Sequence, residues 1–196
     1  MSAYTILLGW DLPTQPPRGG EEAREIAYGS HGIPAFWMTL FDPASIVTAV
    51  EAVEDEDGHD EPEEYPYLVT DAAAALERSR KRWPSLAQAI GQEYAALFQS
   101  WHQHLSANGS RYFHCDPWDY CAISGDYDSY RDELLAALTA FETEPWERSG
   151  WLVKRHRLTP AWAKLLENFD ERENRELVVN ALCGHGGPWD GSERGG

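Results

Sequence analysis

Five side chains able to ligate a metal or move a proton, His102, His104, His114, Cys115 and Cys121, fall within 20 residues of one another. Imidazole and thiolate are the donors zinc prefers, so a metal centre is the first chemistry to weigh. The spacing argues against it. His102 and His104 are two apart in a helical stretch and point away from each other, while Cys115 and Cys121 lack the CxxC knuckle. His114, Cys115 and Asp116 also place a base, a thiol and a carboxylate side by side, the ingredients of a thiolate nucleophile. A triad is assembled across a fold rather than along a chain, and neighbours on a strand face opposite ways. No Gly-x-Ser-x-Gly and no phosphate-binding glycine loop is present, because Gly184, Gly186 and Gly187 follow a helix instead of preceding one. The sequence therefore assigns no catalytic residue, no metal ligand and no cofactor. A small metal-dependent or cysteine-based enzyme using the His114/Cys115 region is the alternative reading.

Acidic residues offer a second kind of chemistry. Asp126, Asp128, Asp132 and Glu133 imitate half of a calcium loop, but Arg131 then stands where glycine is needed and Ala137 where the bidentate glutamate belongs. A helix cap and first turn account for them better. Asp116, Trp118, Asp119, Tyr120, Tyr127, Asp128 and Tyr130 form a patch of aromatics among carboxylates. Such a patch suits recognition of a basic protein, the rings supplying binding energy and the acids steering encounter. Glu54, Asp55, Glu56 and Asp57 belong to the densest acidic run, Glu51 to Glu64, where nine of 14 residues are acidic and none is basic. This composition predicts a solvated loop that steers a partner. Two basic clusters, Arg78 to Arg82 and Lys154 to Arg157, the second beside Trp151, suggest either an anion site or solvated faces.

The formal charge of −17 is uneven: residues 1–64 carry a balance of −12 and residues 65–196 a balance of −5. This sign disfavours nucleic acid and anionic membrane as partners, since phosphate contacts need clustered Lys and Arg. Three cysteines are an odd number and too few for a disulfide framework in 196 residues, which points to reduced thiols in a cytoplasmic protein. No signal-like start or membrane-length apolar stretch appears.

Elements must position these groups. Strands are predicted at Tyr4 to Gly9, Tyr65 to Thr70, Arg111 to Cys115 and Asp119 to Ser124. Glu21 to Tyr28 reads as a short helix. Asp42-Pro43 caps another, with Ile46, Val47, Val50 and Val53 on its apolar face. Asp71 to Trp83 is an alanine-rich helix, and from Pro84 the longest helix begins, with Leu86, Ile90, Tyr94, Leu97, Phe98, Trp101 and Leu105 on one face and Asn108-Gly109 at its end. Further helices are marked by Tyr130, Leu134, Leu135, Leu138 and Phe141, by Thr159-Pro160 with Trp162, Leu165, Leu166 and Phe169, and by Glu173 to Cys183. Together these predict a predominantly helical α+β domain over residues 1–183 with a small sheet and an acidic loop at 51–64, followed by a flexible glycine-rich tail at 184–196.

The opening Ser2 to Pro13, the segment Gly32 to Phe41 and the strand and helix around Tyr67 to Leu76 resemble a group of uncharacterised bacterial proteins of the toxin-immunity type. That resemblance covers about the first 80 residues and carries over no catalytic residue. It implies a small, acidic, cytoplasmic protein that binds another protein. With the acidic excess, the reading is a non-catalytic module that neutralises a basic toxin or nuclease.

Overall fold

In a computed structural model, residues 4–17, 22–30, 32–54, 60–124, 126–143 and 175–189 are described. The predicted helix at Thr159-Pro160, the Lys154 to Arg157 cluster, Asp55 to Asp57 and residues 190–196 lie outside them.

The described residues form a mixed α+β structure around a five-stranded antiparallel sheet. Its strands are β1 (Tyr4–Trp10), β2 (Arg24–Ser30), β3 (Ile46–Glu54), β4 (Asp60–Asp71) and β5 (Tyr112–Asp116), in the order β2-β1-β5-β4-β3. Two hairpins, β1–β2 and β3–β4, are thus joined by β5, which enters late in the chain and pairs with both. The three strands read from Tyr4, Tyr67 and Arg111 are the middle three. The helices are α1 (Ala35–Met38), α2 (Ala72–Ile90), α3 (Ala95–Asn108), α4 (Trp118–Ser124), α5 (Tyr127–Thr143) and α6 (Arg175–Cys183).

Register explains the core. Leu7 and Leu68 both pair with Cys115, and Gly9 and Thr70 with Phe113. Since side chains alternate along a strand, Leu7, Leu68, Phe113 and Cys115 share one face, and all are buried. They join a single cluster with Trp37 and Phe41, Leu86 and Ile90 of α2, Trp101 and Leu105 of α3, Leu134 and Leu138 of α5, and Leu182 of α6. At its margin the rings of the partly buried Trp83 and of Phe98 stack 4.3 Å apart, and Phe36 meets both edge-on. Pairs of this kind add about 0.5–1.5 kcal/mol beyond area burial.

Four expected elements differ. Glu21 to Tyr28 was expected as a helix, but Arg24 to Ser30 is β2, paired along β1 with a bulge opposite Leu7 and Leu8. After Asp42-Pro43 the helix stops at one turn, Pro43–Ser45, closed by reciprocal Asp42 and Ser45 hydrogen bonds. The β-branched residues Ile46, Val47, Thr48, Val50 and Val53 then extend as a strand, which their stiff side chains favour. Asp119 to Ser124 is helix α4 rather than a strand, because the Pro117 carbonyl accepts from Tyr120 N and Cys121 N while Asp116 accepts from Trp118 N. The break between the second and third helices falls at Gly91, not at Pro84. α2 runs through Pro84, giving up one hydrogen bond, and ends where Gly91 takes a φ of 112° that favours glycine.

The acidic run changes most. Residues 51–54 and 60–64 are paired strand, with Glu51 opposite Glu63 and Val53 opposite Glu61. The apolar faces of Ile46 to Ala49 and Tyr65 to Leu68 supply the burial that composition alone did not reveal in the run. The tail also begins ordered. Gly184, at a φ of 80°, ends α6, and His185 exchanges two backbone hydrogen bonds with Tyr28 of β2 at 2.7 and 3.1 Å. The His185 and Tyr28 rings stack at 5.3 Å, and Trp189 packs edge-on against His104. No described helix is long and apolar enough to cross a membrane.

Candidate functional site

The acidic patch and the acidic run, far apart in sequence, meet at the root of the β3–β4 hairpin. β5 ends at Asp116, and the Asp-Pro step turns the chain directly into α4, so Trp118 is thrown back over β4. Its ring lies 4.9 Å from that of Tyr65 and stacks on Tyr127 at 6.2 Å with an interplanar angle of 10°. Tyr127, in the first turn of α5, donates its hydroxyl to the Glu63 carboxylate on β4. Burial, with that hydrogen bond and the Glu63 charge added, pushes the Tyr127 phenol up to about 12, so it remains a donor at neutral pH.

A polar chain runs beneath these rings. Gln15 accepts from Val50 N of β3 at 3.3 Å through Oε1 and donates to the Tyr65 hydroxyl at 3.0 Å through Nε2. Tyr65 donates in turn to Asp116 Oδ1 at 3.1 Å, which also accepts from Trp118 N at 3.0 Å. The segment after β1 therefore laces the edge strand to the aromatic cluster. Gln15 was not singled out by sequence reasoning, and no local signal marks it. Tyr127 belonged to the expected aromatic patch, but its bond to Glu63 of β4 did not show in the sequence.

The other expected residues divide. Trp118, Asp119 and Tyr120 are partly exposed and Asp128 is exposed, as a surface requires. Tyr130 is not surface: it is 4% exposed and packs in the core beside Tyr120, because the α5 face carrying Leu134 and Leu138 points inward. Asp116 is 8% exposed and spends its Oδ1 on Tyr65 and Trp118, so it positions the cluster. Glu54 pairs with Asp60 at the far end of the described hairpin.

The groups weighed for catalysis are placed otherwise. His114 and Cys115 are successive residues of β5 and face opposite sides of the sheet. His114 is fully buried, hydrogen-bonds Leu12 O through Nε2 at 3.0 Å, and leaves Nδ1 without a hydrogen-bond partner. Burial lowers its pKa to about 4 against the smaller opposing effect of that bond, so the ring is neutral at pH 7. Burial, helped by the Asp116 charge, raises Cys115 well above the ordinary thiol range and Cys121 to about 12. Neither supplies appreciable thiolate at neutral pH, which is the nucleophilic and metal-binding form. Among the described residues no three His, Cys, Asp or Glu side chains are grouped to hold a metal.

The first basic cluster is structural in part. Arg78 donates to Leu40 O and pairs with Asp42, and Arg82 donates to Phe41 O at 2.6 Å. These two guanidiniums cap the chain between α1 and β3, which removes them from a free anion site.

The fold and site together define an antiparallel-sheet α+β protein with an acidic hairpin rooted in an aromatic cluster. Comparison with protein-family models, curated proteins and solved structures finds no match.

Proposed function

We propose that this protein is a non-catalytic binding module for a basic protein, of the kind an immunity protein presents to a cationic toxin or nuclease. The observation that carries the reading is the junction at Tyr127: its ring stacks on Trp118 while its hydroxyl holds Glu63, so aromatic and acidic surfaces form one ordered patch. The hairpin above it is acidic without relief in sequence, since no Lys or Arg occurs between Arg24 and Arg78. Desolvated aromatics supply affinity and surrounding charge supplies on-rate and partner choice, so the two belong in one interface. Glu61 and Glu64 are exposed and do the steering; Trp118 is the anchor.

The test passes a basic nuclease over the immobilised protein, with binding followed by surface plasmon resonance at two ionic strengths. Replacing Glu61 and Glu64 by Gln slows association about tenfold at low salt and flattens its salt dependence, with little change in dissociation. Trp118→Ala speeds dissociation by about tenfold or more, as loss of a buried aromatic anchor does. Equal kinetics for both variants and the parent overturn the reading.

A further inference from the structure

The sheet has two edges, and they are treated differently. At β2 the outer edge is bridged at Tyr28 by His185, which exchanges backbone hydrogen bonds with it in both directions. At β3 no described strand pairs with the outer edge. Val50 N bonds Gln15, so it does not face β4; by the alternation of an antiparallel ladder, the backbone groups of Thr48, Val50 and Ala52 point outward. Thr48, Val50 and Ala52 are exposed, Val50 by 51%, on a strand of β-branched and small residues, with Arg131 of α5 donating to the Thr48 hydroxyl at 2.6 Å. A long apolar edge of this kind is a template for another strand unless something guards it.

We infer that the outer edge of β3 is a docking strand that takes an extended basic segment of the partner protein by strand addition. The inference rests on the reading of the protein as an acidic binding module and specifies how the partner is held. Charge selects the occupant. A second copy pairing antiparallel through the same edge would bring together two arms of one sign, each carrying Glu51 on β3 and Glu61, Glu63 and Glu64 on the adjoining β4, and such charges repel. An extended segment alternating Lys or Arg with β-branched residues satisfies both demands: main-chain hydrogen bonds to Thr48, Val50 and Ala52, and cations among the arm's carboxylates. Gln15, holding one edge donor through its side chain, is the group the incoming strand displaces.

The probe is a synthetic peptide alternating Lys and Val over eight residues, with a second peptide of the same sequence N-methylated at alternate residues so that its charge is kept and its donors on one edge are lost. Binding to the unaltered protein is followed by NMR. The unmethylated peptide is expected to bind, to slow exchange of the Thr48, Val50 and Ala52 amides at least tenfold, and to lose at least tenfold in affinity on N-methylation. Val50→Pro, which removes an outward donor at a position where an edge tolerates proline, is expected to weaken the peptide by a similar factor while circular dichroism shows the fold intact. Equal binding of both peptides, still abolished by salt, overturns strand addition and leaves the acidic-module reading standing. Binding of neither at low salt overturns both. A concentration-dependent dimer that protects the same three amides without peptide assigns the edge to a second copy and also overturns the proposal.

Discussion

The two hairpins of this sheet are built to opposite ends. In β1–β2, Leu7, Ile26 and Ala27 are buried, the outer edge is bridged at Tyr28 by His185, and α6 ends beside it with Trp37 Nε1 donating to Cys183 O at 2.7 Å. In β3–β4 the half near the core buries Ala49, Tyr65 and Tyr67, and the half beyond Val50 carries acids into solvent along an edge that no described strand covers. The same hairpin geometry therefore serves stability on one side and presentation on the other. The register shows the difference plainly, with Glu51 opposite Glu63 and Val53 opposite Glu61 where β1–β2 places Leu7 opposite Ala27.

The comparison breaks most easily at the bridged edge. Trp37→Ala removes a fully buried ring and orphans the Cys183 carbonyl, and it should lower unfolding free energy by about 3–5 kcal/mol in urea titration. Gly184→Ala attacks the same edge: a Cβ there would lie 2.6 Å from Trp37 Cζ2, and the φ of 80° disfavours any side chain, so a loss of about 1–3 kcal/mol is expected. By contrast Val50→Ala on the open edge should change stability by no more than about 0.5 kcal/mol, as exposed positions do.

Between the hairpins stands His114 on β5. Its folded pKa of about 4 lies below the unfolded value near 6.5, so the unfolded chain binds the proton more readily. Stability from this group is full above about pH 6.5 and is lost as pH falls through the window to about 4, a slope amounting to about 3 kcal/mol. Urea titrations at pH 7 and pH 4.5 read it, and His114→Gln should flatten the difference between them. A smaller effect belongs to the root of the arm. Tyr127→Phe deletes the hydrogen bond to Glu63 and should cost about 0.5–1.5 kcal/mol by the same titration. Smallest of all, Glu61→Gln and Glu64→Gln should leave stability within about 0.5 kcal/mol while altering association with a basic partner.

The sequence made the middle of this sheet readable because β1, β4 and β5 carry dense apolar runs bounded by turn residues. It hid the edges. β2 has only Ile26 and Tyr28 to announce it and is held in place by β1 pairing and the His185 bridge, both of long sequence separation. In β3 the proline after Asp42 imitates a helix start, and only pairing with Tyr65 to Leu68 decides for a strand. Helix α4 was hidden because Tyr120 to Ile123 is a short apolar run such as a buried strand carries, while the Asp116-Pro117 turn fixes the first helical bonds. At the candidate site, Trp118 and Asp116 were readable as chemistry-bearing residue types. Their union with the arm was not, since it depends on Gln15 and Tyr127 reaching from segments about 100 residues apart.

The claim that the acidic run is one arm of an ordered hairpin with an open outer edge is tested most directly by native-state hydrogen exchange on the free protein. The account predicts alternation along β3: amides of Val47, Ala49 and Glu51 protected by pairing with β4, those of Thr48 and Ala52 exchanging fast, and Tyr28 on the bridged edge protected. Uniformly fast exchange from Glu51 through Glu64, with no alternation, would contradict it and return the run to a solvated loop.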